Sequence, residues 1–300
     1  MATIGFVPHL QRPEAIELAV STASWLDASG HKVRLLASTA SPWDCSQEEL
    51  SHGLDLAVSL GGDGTMLRTV DLVLSTGVPV LGVDVGHLGY LTEVGPNDLR
   101  RALTRFLSGD YRIEERMTLQ VDVTRASETQ SAPRRASSEE GAAQAGDSTP
   151  LDRINALNDA VLQRSPGGHT VHLAATVNGD RFLTYAADSM IVATPTGSTA
   201  YNLSARGPIV SPRARVLVMT PVAAHMLFDR ALILSPDEDL RLQVIDGPLA
   251  ELVVDGQSQG ALGTGDVIRC TAGPHDARLV SFGGRDFHHI LKQKFGLSDR

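Results

Sequence analysis

The sequence has few features of a secreted, membrane-spanning or disulfide-stabilised protein. Its 300 residues include only two cysteines, Cys45 and Cys270, whose separation fits neither a metal-binding nor a redox motif. No apolar run approaches the ~18 residues of a membrane span, and the first segment of the chain lacks the pattern of a secretion signal. These absences predict a cytoplasmic protein without a membrane partner.

Positive charge is also scarce. The chain has 26 Lys and Arg residues against 35 Asp and Glu residues, a formal net charge of −9. This balance argues against a nucleic-acid partner, because a phosphate backbone is bound by a basic surface. A phosphorylated ligand would then be held by a few local groups. The adjacent pair His288-His289 has no ligand types beside it, so the sequence predicts no metal-binding residues.

The first third of the chain alternates β-type runs with segments of helical period. Strands are predicted at Thr3–Val7, Lys32–Ala37, Leu54–Leu60 and Pro79–Val83, and helices at Glu14–Ala28, Thr65–Ser75 and Leu99–Leu107. This alternation predicts an α/β domain, residues 1–116, with a parallel sheet covered by helices on both faces. The tail, residues 286–300, returns to helical period and is expected to pack back on this domain.

From about Met117 the pattern changes to short β-type runs separated by turn residues. These runs are Leu119–Val123, Ala160–Gln163, Val171–Val177, Ile191–Ala193, Val216–Thr220, Ala231–Leu234, Leu240–Val244, Leu249–Val254 and Val267–Cys270. This pattern predicts a second domain, residues 117–285, that resembles an antiparallel β-sandwich. Residues 125–150 differ again, because they are rich in Ala, Ser, Glu, Gly and Gln and hold almost no large apolar side chain. We expect a disordered loop there.

A glycine-rich loop lies between a predicted strand and a predicted helix in Leu54–Val70, which reads LDLAVSLGGDGTMLRTV. Its glycines let a ligand approach the main chain, and the helix that follows offers free amides and the positive end of its dipole to a phosphate. The loop has neither the lysine of a Walker A motif nor the spacing of a Rossmann fingerprint. It predicts a phosphate-binding loop of another class.

Asp63, in the middle of this loop, needs its own explanation because a carboxylate repels bound phosphate. In phosphoryl transfer it could accept the proton of the attacking hydroxyl. Alternatively, it could cap the helix that is predicted to start at Thr65. A cap does not account for the flanking glycines, so we favour the general base, and the two roles could coexist.

Two further segments carry polar groups suited to a nucleoside. A predicted strand ending at Ala193 runs into the hydroxyl-rich turn Thr194–Thr199, and Tyr201 follows with an aromatic face. The pair Asn158-Asp159 precedes another β-type run and could bind a base edge and ribose hydroxyls. Each segment has an ordinary alternative, a surface turn in the first case and a turn entering a strand in the second.

Together these segments resemble the NAD kinase family. The most specific match is TPTGSTAYNLSA at Thr194–Ala205, since lipid kinases and phosphofructokinases carry loops similar to the glycine-rich one. Supporting matches are the pair Asn158-Asp159, GVDVGHLGYLTE at Gly82–Glu93, VDGQ at Val254–Gln257 and FHHILKQKFGL at Phe287–Leu297. The resemblance implies an N-terminal α/β domain of the NAD kinase and diacylglycerol kinase type, a C-terminal β-rich NAD-binding domain, and a homo-oligomer.

The resemblance also implies a reaction and its residues. A phosphoryl group would pass from ATP, or from polyphosphate, to the 2′-hydroxyl of the adenosine ribose of NAD, giving NADP, with a divalent metal ion such as Mg²⁺. Asp63 would accept the hydroxyl proton. The implied nucleotide-binding residues are Gly62, Gly64, Arg68, Asn158, Asp159, His169, Asp188, Thr199, Ala200, Tyr201, Asn202, Leu203, Ser204 and Gln257.

The chain departs from the family pattern at Asp84, Ser189 and Arg206, where the family usually has Asn, Gly and Gly. Because of these departures, the sequence does not decide which phosphoryl donor is used or whether NAD or NADH is the substrate. They also motivate an alternative function, a catalytically silent NAD(H) sensor. A lipid kinase would share the glycine-rich loop, but it has no use for the Thr194–Ser204 segment, and the sequence has no apolar or polybasic membrane patch. An assay for NADP formation separates these alternatives.

Overall fold

The computed structural model describes residues 1–37, 39, 41–86, 89–126, 152–165, 170–247, 249–283 and 286–297. The chain divides into two compact units, residues 1–116 with 275–300, and residues 117–274. The predicted loop at 125–150 lies outside the described residues apart from Arg125 and Ala126, and so does His169. No helix in the described ranges is long and apolar enough to cross a membrane.

The first unit is built on a six-stranded sheet. Its strands are β1 (Thr3–Pro8), β2 (Lys32–Leu35), β3 (Leu56–Gly61), β4 (Val80–Asp84), β5 (Arg112–Arg116) and β18 (Ala277–Ser281). Its helices are α1 (Pro13–Ala28), α2 (Gln47–Ser51), α3 (Asp63–Val73), α4 (Leu99–Leu107) and α6 (Phe287–Lys294). The strand order is β2-β1-β3-β4-β18-β5, in which only β5 runs antiparallel to its neighbour.

The central strands of this sheet are buried along almost their whole length. Phe6, Leu60 and Leu81 are fully buried and share a core with Leu26 of α1 and Leu103 of α4. Strands covered on both faces read as continuous apolar runs, which is why the sequence predicted them. The structure confirms an α/β domain with a parallel sheet.

The carboxyl ends of neighbouring parallel strands position the candidate site of this unit. Pro8 at the end of β1 pairs with Leu60, and Gly61 at the end of β3 pairs with Asp84 at the end of β4. In open parallel sheets, ligands bind in the loops that follow these ends. The loops after β1, β3 and β4 therefore meet at one edge.

One strand of the first unit comes from a segment that the sequence analysis placed in the second domain. Strand β18 lies between β4 and β5, and Leu279 pairs with both Val80 and Glu114. A short apolar run far along the chain carries no signal of which sheet it joins. Helix α6 also belongs to this unit, and the Nζ atom of Lys294 lies 4.5 Å from the ring centroid of Tyr90.

The second unit contains two six-stranded sheets whose neighbouring strands are all antiparallel. Its strands are β6 (Leu119–Thr124), β7 (Asp152–Ala156), β8 (Asp159–Arg164), β9 (Val171–Val177), β10 (Asp180–Ala187), β11 (Ser189–Ala193), β12 (Leu217–Val222), β13 (Leu232–Leu234), β14 (Leu240–Asp246), β15 (Ala250–Val254), β16 (Gln257–Leu262) and β17 (Val267–Ala272). The short helix α5 (Tyr201–Ser204) follows β11. The orders are β10-β9-β14-β17-β6-β7 and β13-β12-β11-β8-β15-β16.

The two sheets of this unit share one core. Alternate residues along the strands are buried in it, such as Leu240 and Leu242 of β14 in one sheet and Leu162 of β8 and Val192 of β11 in the other. This period of two is typical of two sheets that pack face to face, because every second side chain of a strand points into the shared core. The structure confirms the predicted antiparallel, sandwich-like domain.

Candidate active site

The glycine-rich loop joins β3 to α3 in the first unit. Helix α3 begins at Asp63, two residues before the predicted start, and its N-cap residue, Gly62, has no side chain that could cap it. The first amides of a helix have no partner within the helix, so an uncapped start offers them to an anion together with the positive end of the dipole. This geometry suits a phosphate.

The carboxylate of Asp63 is held by the loop that follows β4, not by its own helix. Its Oδ2 atom accepts a hydrogen bond from the amide of Tyr90 at 2.9 Å, and its Oδ1 atom accepts one from the amide of Leu91 at 3.0 Å. The alternative of Asp63 as a helix cap is therefore wrong. Each oxygen retains a lone pair for a further donor, so the oriented carboxylate can still accept a proton.

Gly89 allows this contact and was not identified from the sequence. A Cβ atom at position 89 would overlap Oδ1 of Asp63 and would lie 3.0 Å from its Cγ atom and 3.1 Å from Oγ1 of Thr92. Only glycine lets the main chain come this close to the carboxylate. The available signal was a second glycine cluster, GHLG, which begins three residues after Val83, the end of a predicted strand.

A cleft of about 520 Å³ lies beside the glycine-rich loop. It is lined by Pro8, His9, Leu10, Gln11, Arg12, Gly62, Gly64, Thr65 and Arg68. A Cβ atom on Gly62 or Gly64 would meet no described atom of the chain within 4 Å. The packing of the described residues therefore does not require glycine at these two positions. A side chain there would instead restrict the approach of a ligand to the main chain that lines the cleft.

Cations converge on this cleft although the whole chain is acidic. Arg12 precedes α1 and donates a hydrogen bond to the carbonyl of Val85, while Arg68 lies on α3. With His9 and the start of α3, these side chains could bind an anion. His9 and Arg12 were missed because they lie outside the glycine-rich motif, and the adjacency of β1 and β3 in the sheet is what brings them there.

In the second unit, two predicted segments that are distant in sequence lie together. The amide and Oγ1 atoms of Thr194 donate hydrogen bonds to the carbonyls of Asn158 (2.8 Å) and Leu157 (2.5 Å). A Cβ atom on Gly197 would overlap the main chain of Asn158. The hydroxyl-rich turn is thus built directly against the Asn158-Asp159 pair.

Asp159 has an unusual environment for a carboxyl group. The residue is only 5% exposed. Burial, and then the neighbouring charge of Asp255, raise its pKa to about 7, although a hydrogen bond from the Tyr201 amide acts in the opposite direction. A carboxyl group in such a site changes its ionisation near neutral pH. Perturbed groups of this kind are common at functional sites.

The side chains of Tyr201 and Asn202 differ in what they can contact. Tyr201 is 41% exposed, so its side chain is accessible to a ligand. Asn202 is fully buried, and its side chain bonds to the carbonyls of Ser198 (3.2 Å) and Pro208 (3.0 Å) and to Oγ1 of Thr220 (2.7 Å). The geometry of Asn202 is that of a residue that holds α5 in place.

The other predicted nucleotide-binding residues of this unit fall into two groups. Near the turn, the exposed residues are Ser204 and Gln257, and the half-buried ones are Asn158, Thr199, Ala200 and Leu203. Asp188 lies elsewhere, because Ser189 of β11 pairs with Gln163 whereas Ala193 pairs with Asp159. The length of β11, about 16 Å at the usual rise per residue, separates Asp188 from the turn. Asp188 instead pairs with Arg164 at 3.2 Å.

Comparisons with known proteins agree with these features. Residues 42–111 match the model of the ATP-NAD kinase N-terminal domain, and residues 157–282 match that of the ATP-NAD kinase C-terminal domain. The chain is 38% identical to the NAD kinase of Heliobacterium modesticaldum, with 98% of both chains covered. It is 35% identical to that of Moorella thermoacetica, covering 98% of this chain and 89% of that protein.

Solved structures show the same fold. A yeast NADH kinase in complex with NADH superposes with a TM-score of 0.84 at 25% identity, covering 100% of this chain and 89% of that one. An NAD kinase from Archaeoglobus fulgidus in complex with ATP superposes with a TM-score of 0.68 at 23% identity, covering 98% and 97%. The two domain models and the curated relatives show that the chain is a phosphotransferase. The chain belongs to the NAD kinase family.

Proposed function

We propose that this chain transfers the γ-phosphoryl group of ATP to the 2′-hydroxyl of the adenosine ribose of NAD, with Asp63 as the general base. The hydroxyl oxygen forms a bond to the γ-phosphorus as its proton passes to the Asp63 carboxylate, and the bond to the departing ADP oxygen breaks. The products are ADP and NADP. The reaction itself is supported by membership of the NAD kinase family.

The observation that carries this proposal is the orientation of Asp63. Its carboxylate is fixed by the amides of Tyr90 and Leu91, and it lies between two glycines that line an arginine-containing cleft. A base that is oriented before the substrate arrives needs no reorganisation during the reaction. An assay for NADP, coupled to an NADP-specific dehydrogenase and run with NAD and with NADH, tests the proposal against a lipid kinase and a silent sensor.

The cleft in the first unit supplies the donor subsite. Gly62, Gly64 and the start of α3 offer main-chain amides to the phosphates, and Arg68 and Arg12 supply positive charge. These groups recognise phosphate rather than a base, so we propose that polyphosphate also serves as a donor. Initial rates with each donor at a fixed NAD concentration measure the preference.

The residues around the hydroxyl-rich turn supply the dinucleotide contacts. Asn158 and Asp159 offer an amide and a carboxyl group, and Tyr201 offers an exposed ring. The stretch Thr199–Ser204, together with Gln257, completes this set, with Asn202 acting through the loop that it holds. Asp188 and His169 remain proposed contacts on the family resemblance alone.

A divalent metal ion, Mg²⁺, is proposed to accompany the donor. Within the described ranges no three His, Cys, Asp or Glu side chains lie close enough together to hold a metal ion. Mg²⁺ does not need such a cage, because it commonly keeps several waters and is held through one or two carboxylates and substrate phosphates. When bound, it neutralises charge on the phosphates.

A homo-oligomer in the cytoplasm is the proposed working form. The second unit exposes the large apolar side chains of Phe182, Leu227 and Ile233, which a second copy of the chain could cover. The free thiols of Cys45 and Cys270 suit a reducing compartment. Light scattering of the purified protein measures the number of subunits.

Replacing Gly89 with alanine should displace the Asp63 carboxylate. The added methyl group overlaps Oδ1, and a misplacement of about 1 Å can cost on the order of 10²-fold in rate, so we expect a kcat loss of that size with unchanged KM for ATP. Gly95→Ala is the matched control, because a Cβ there meets no described atom within 4 Å and φ is −85°. Equal kcat in both variants would contradict the proposed role of the loop.

Replacing Tyr201 with alanine should weaken NAD binding by roughly 1–3 kcal/mol, the range measured for aromatic stacking on single bases. The variant keeps the main-chain amide that donates a hydrogen bond to Asp159, so the loss of NAD affinity measures the contribution of the ring alone. Tyr201→Phe keeps the ring and should lose much less. Calorimetric titration of NAD and ATP into both variants gives the result, and an unchanged NAD affinity in Tyr201→Ala would remove the ring from the site.

A further inference from the structure

Asp255 occupies a two-residue hairpin turn of the second unit. Val254 at the end of β15 pairs with Gln257 at the start of β16, and the residues between them, Asp255 and Gly256, have φ values of 47° and 77°. Positive φ at both central positions is the requirement of a type I′ turn, for which Asp-Gly is a preferred sequence. Turn formation alone would account for an aspartate here.

The carboxylate of Asp255 does something that the turn does not need. Its Oδ2 atom accepts the amide of Leu157 at 2.7 Å, and its Oδ1 atom accepts those of Asn158 at 2.8 Å and Asp159 at 3.1 Å. The carbonyls of Leu157 and Asn158 are taken by Thr194. The segment 157–159 is therefore held on two sides. Its amides donate to Asp255, and its carbonyls accept from Thr194 of the hydroxyl-rich turn.

We propose that Asp255 is a positioning residue for NAD, because its carboxylate fixes the main chain that presents Asn158 and Asp159 to the dinucleotide. The inference rests on the proposed function, in which these two residues contact NAD. Hydrogen bonds to a charged acceptor are stronger than neutral ones, so three of them hold the segment in one conformation before the ligand binds. Such preorganisation raises affinity by reducing the ordering cost of binding.

The same unit contains a second hairpin of the same kind that serves as a matched control. Val177 of β9 pairs with Asp180 of β10, and Asn178 and Gly179 between them have φ values of 53° and 87°. The side chain of Asn178 accepts the amide of Asp239 at 3.0 Å. A change at Asn178 therefore perturbs an equivalent turn without touching the segment 157–159.

The test compares the steady-state kinetics of variants in the two turns. Asp255→Asn keeps the size and the left-handed preference of the residue but loses the charge, and Asp255→Gly keeps only the backbone freedom. In both variants we expect the KM for NAD to rise by roughly 10–100-fold, the equivalent of losing about one charge-assisted hydrogen bond. The KM for ATP should stay unchanged. Asn178→Gly should change neither KM, whatever its effect on the melting temperature.

A pH series adds a readout that a purely structural role would not affect. The charge of Asp255 contributes to the raised pKa of Asp159, after burial. In Asp255→Asn, the pH at which the KM for NAD changes should therefore move to lower values. A wild-type NAD KM in Asp255→Asn, alongside a raised NAD KM in Asn158→Ala, would overturn the inference alone. An unchanged NAD KM in Asn158→Ala would instead overturn the NAD contacts on which it rests.

Discussion

Replacing Asp63 with asparagine is expected to lower kcat for NADP formation by on the order of 10²–10⁴-fold, the usual contribution of a positioned general base. An amide cannot take the proton of the 2′-hydroxyl, although it has nearly the same shape as the carboxylate. The affinities for NAD and ATP should change little, because Asp63 is proposed to act on the reacting hydroxyl and not on either nucleotide as a whole. Single-turnover rates and calorimetric titrations measure the two quantities separately.

The control for this change is Asp71→Asn on the same helix, where the side chain is exposed. It should leave kcat unaltered. A lower melting temperature with near-normal turnover in Asp63→Asn would show that the hydrogen bonds from Tyr90 and Leu91 serve only to hold the loop, and it would remove Asp63 from the chemistry.

Replacing Asp159 with asparagine is expected to raise stability and to impair NAD binding at the same time. Burial, and then the charge of Asp255, raise the folded-state pKa of Asp159 from 3.8 to about 7. A carboxyl group whose pKa is raised on folding contributes stability fully below the unfolded-state pKa, and this stability is lost as the pH rises through the folded-state pKa. Asparagine does not ionise, so the variant does not lose this stability as the pH rises.

The free energy of unfolding of Asp159→Asn should therefore exceed that of the wild type at pH 8 by on the order of 2–4 kcal/mol, and the difference should shrink to nothing near pH 4. The asparagine oxygen can still accept the Tyr201 amide, so the loop should be retained. Urea unfolding at both pH values measures the difference. Equal stability of the two proteins at pH 8 would contradict the raised pKa.

The same substitution, Asp159→Asn, should weaken NAD binding although it raises stability. If the carboxylate binds hydroxyl or amide hydrogens of NAD, the loss of its charge should weaken NAD binding by roughly 1.5–3 kcal/mol at pH 8. Asp180→Asn makes the same chemical change at an exposed residue of β10, away from the turn, and serves as the comparison. A stabilised variant with wild-type NAD affinity would place Asp159 outside the binding site.

The elements that the sequence predicted are those whose signal is local. Strand β3, the glycine-rich loop and helix α3 follow one another along the chain, so the site that they form was visible as a pattern. The contacts of Asp63 with Tyr90 and Leu91, and those of Asp255 with the segment 157–159, join main-chain amides to distant carboxylates. Any residue except proline supplies an amide, so no residue type marks these partners.

The strands that escaped prediction are mostly at the edges of sheets. In the sheets of the described residues, β5, β7, β10 and β16 are edge strands. An edge strand buries less surface, and polar or charged side chains on it also limit pairing with other chains, so the apolar pattern is weak. Strand β16, with the sequence QSQGAL, is exposed along most of its length. Strand β18 is internal, and its apolar segment was missed altogether.

The residue-level prediction for Asn202 illustrates a second limit. Its place in the family motif suggested contact with NAD. In the structure its buried side chain forms hydrogen bonds with Ser198, Pro208 and Thr220. A motif contains both the residues that touch a ligand and those that shape the loop. Arg206 shows the same dependence on shape, because its φ of 64° lies in the region that favours the glycine usual at this position.

Identification of the reaction product tests whether this chain phosphorylates NAD at the adenosine ribose. Purified protein incubated with ATP, Mg²⁺ and NAD should form ADP and one new dinucleotide with a phosphomonoester resonance in its ³¹P NMR spectrum. We expect an NADP-specific dehydrogenase to reduce this product, which places the phosphate on the adenosine ribose 2′-oxygen, and Asp63→Asn to form it far more slowly. Binding of NAD and ATP without any new phosphomonoester, or a product that the dehydrogenase does not accept, would contradict the proposed function.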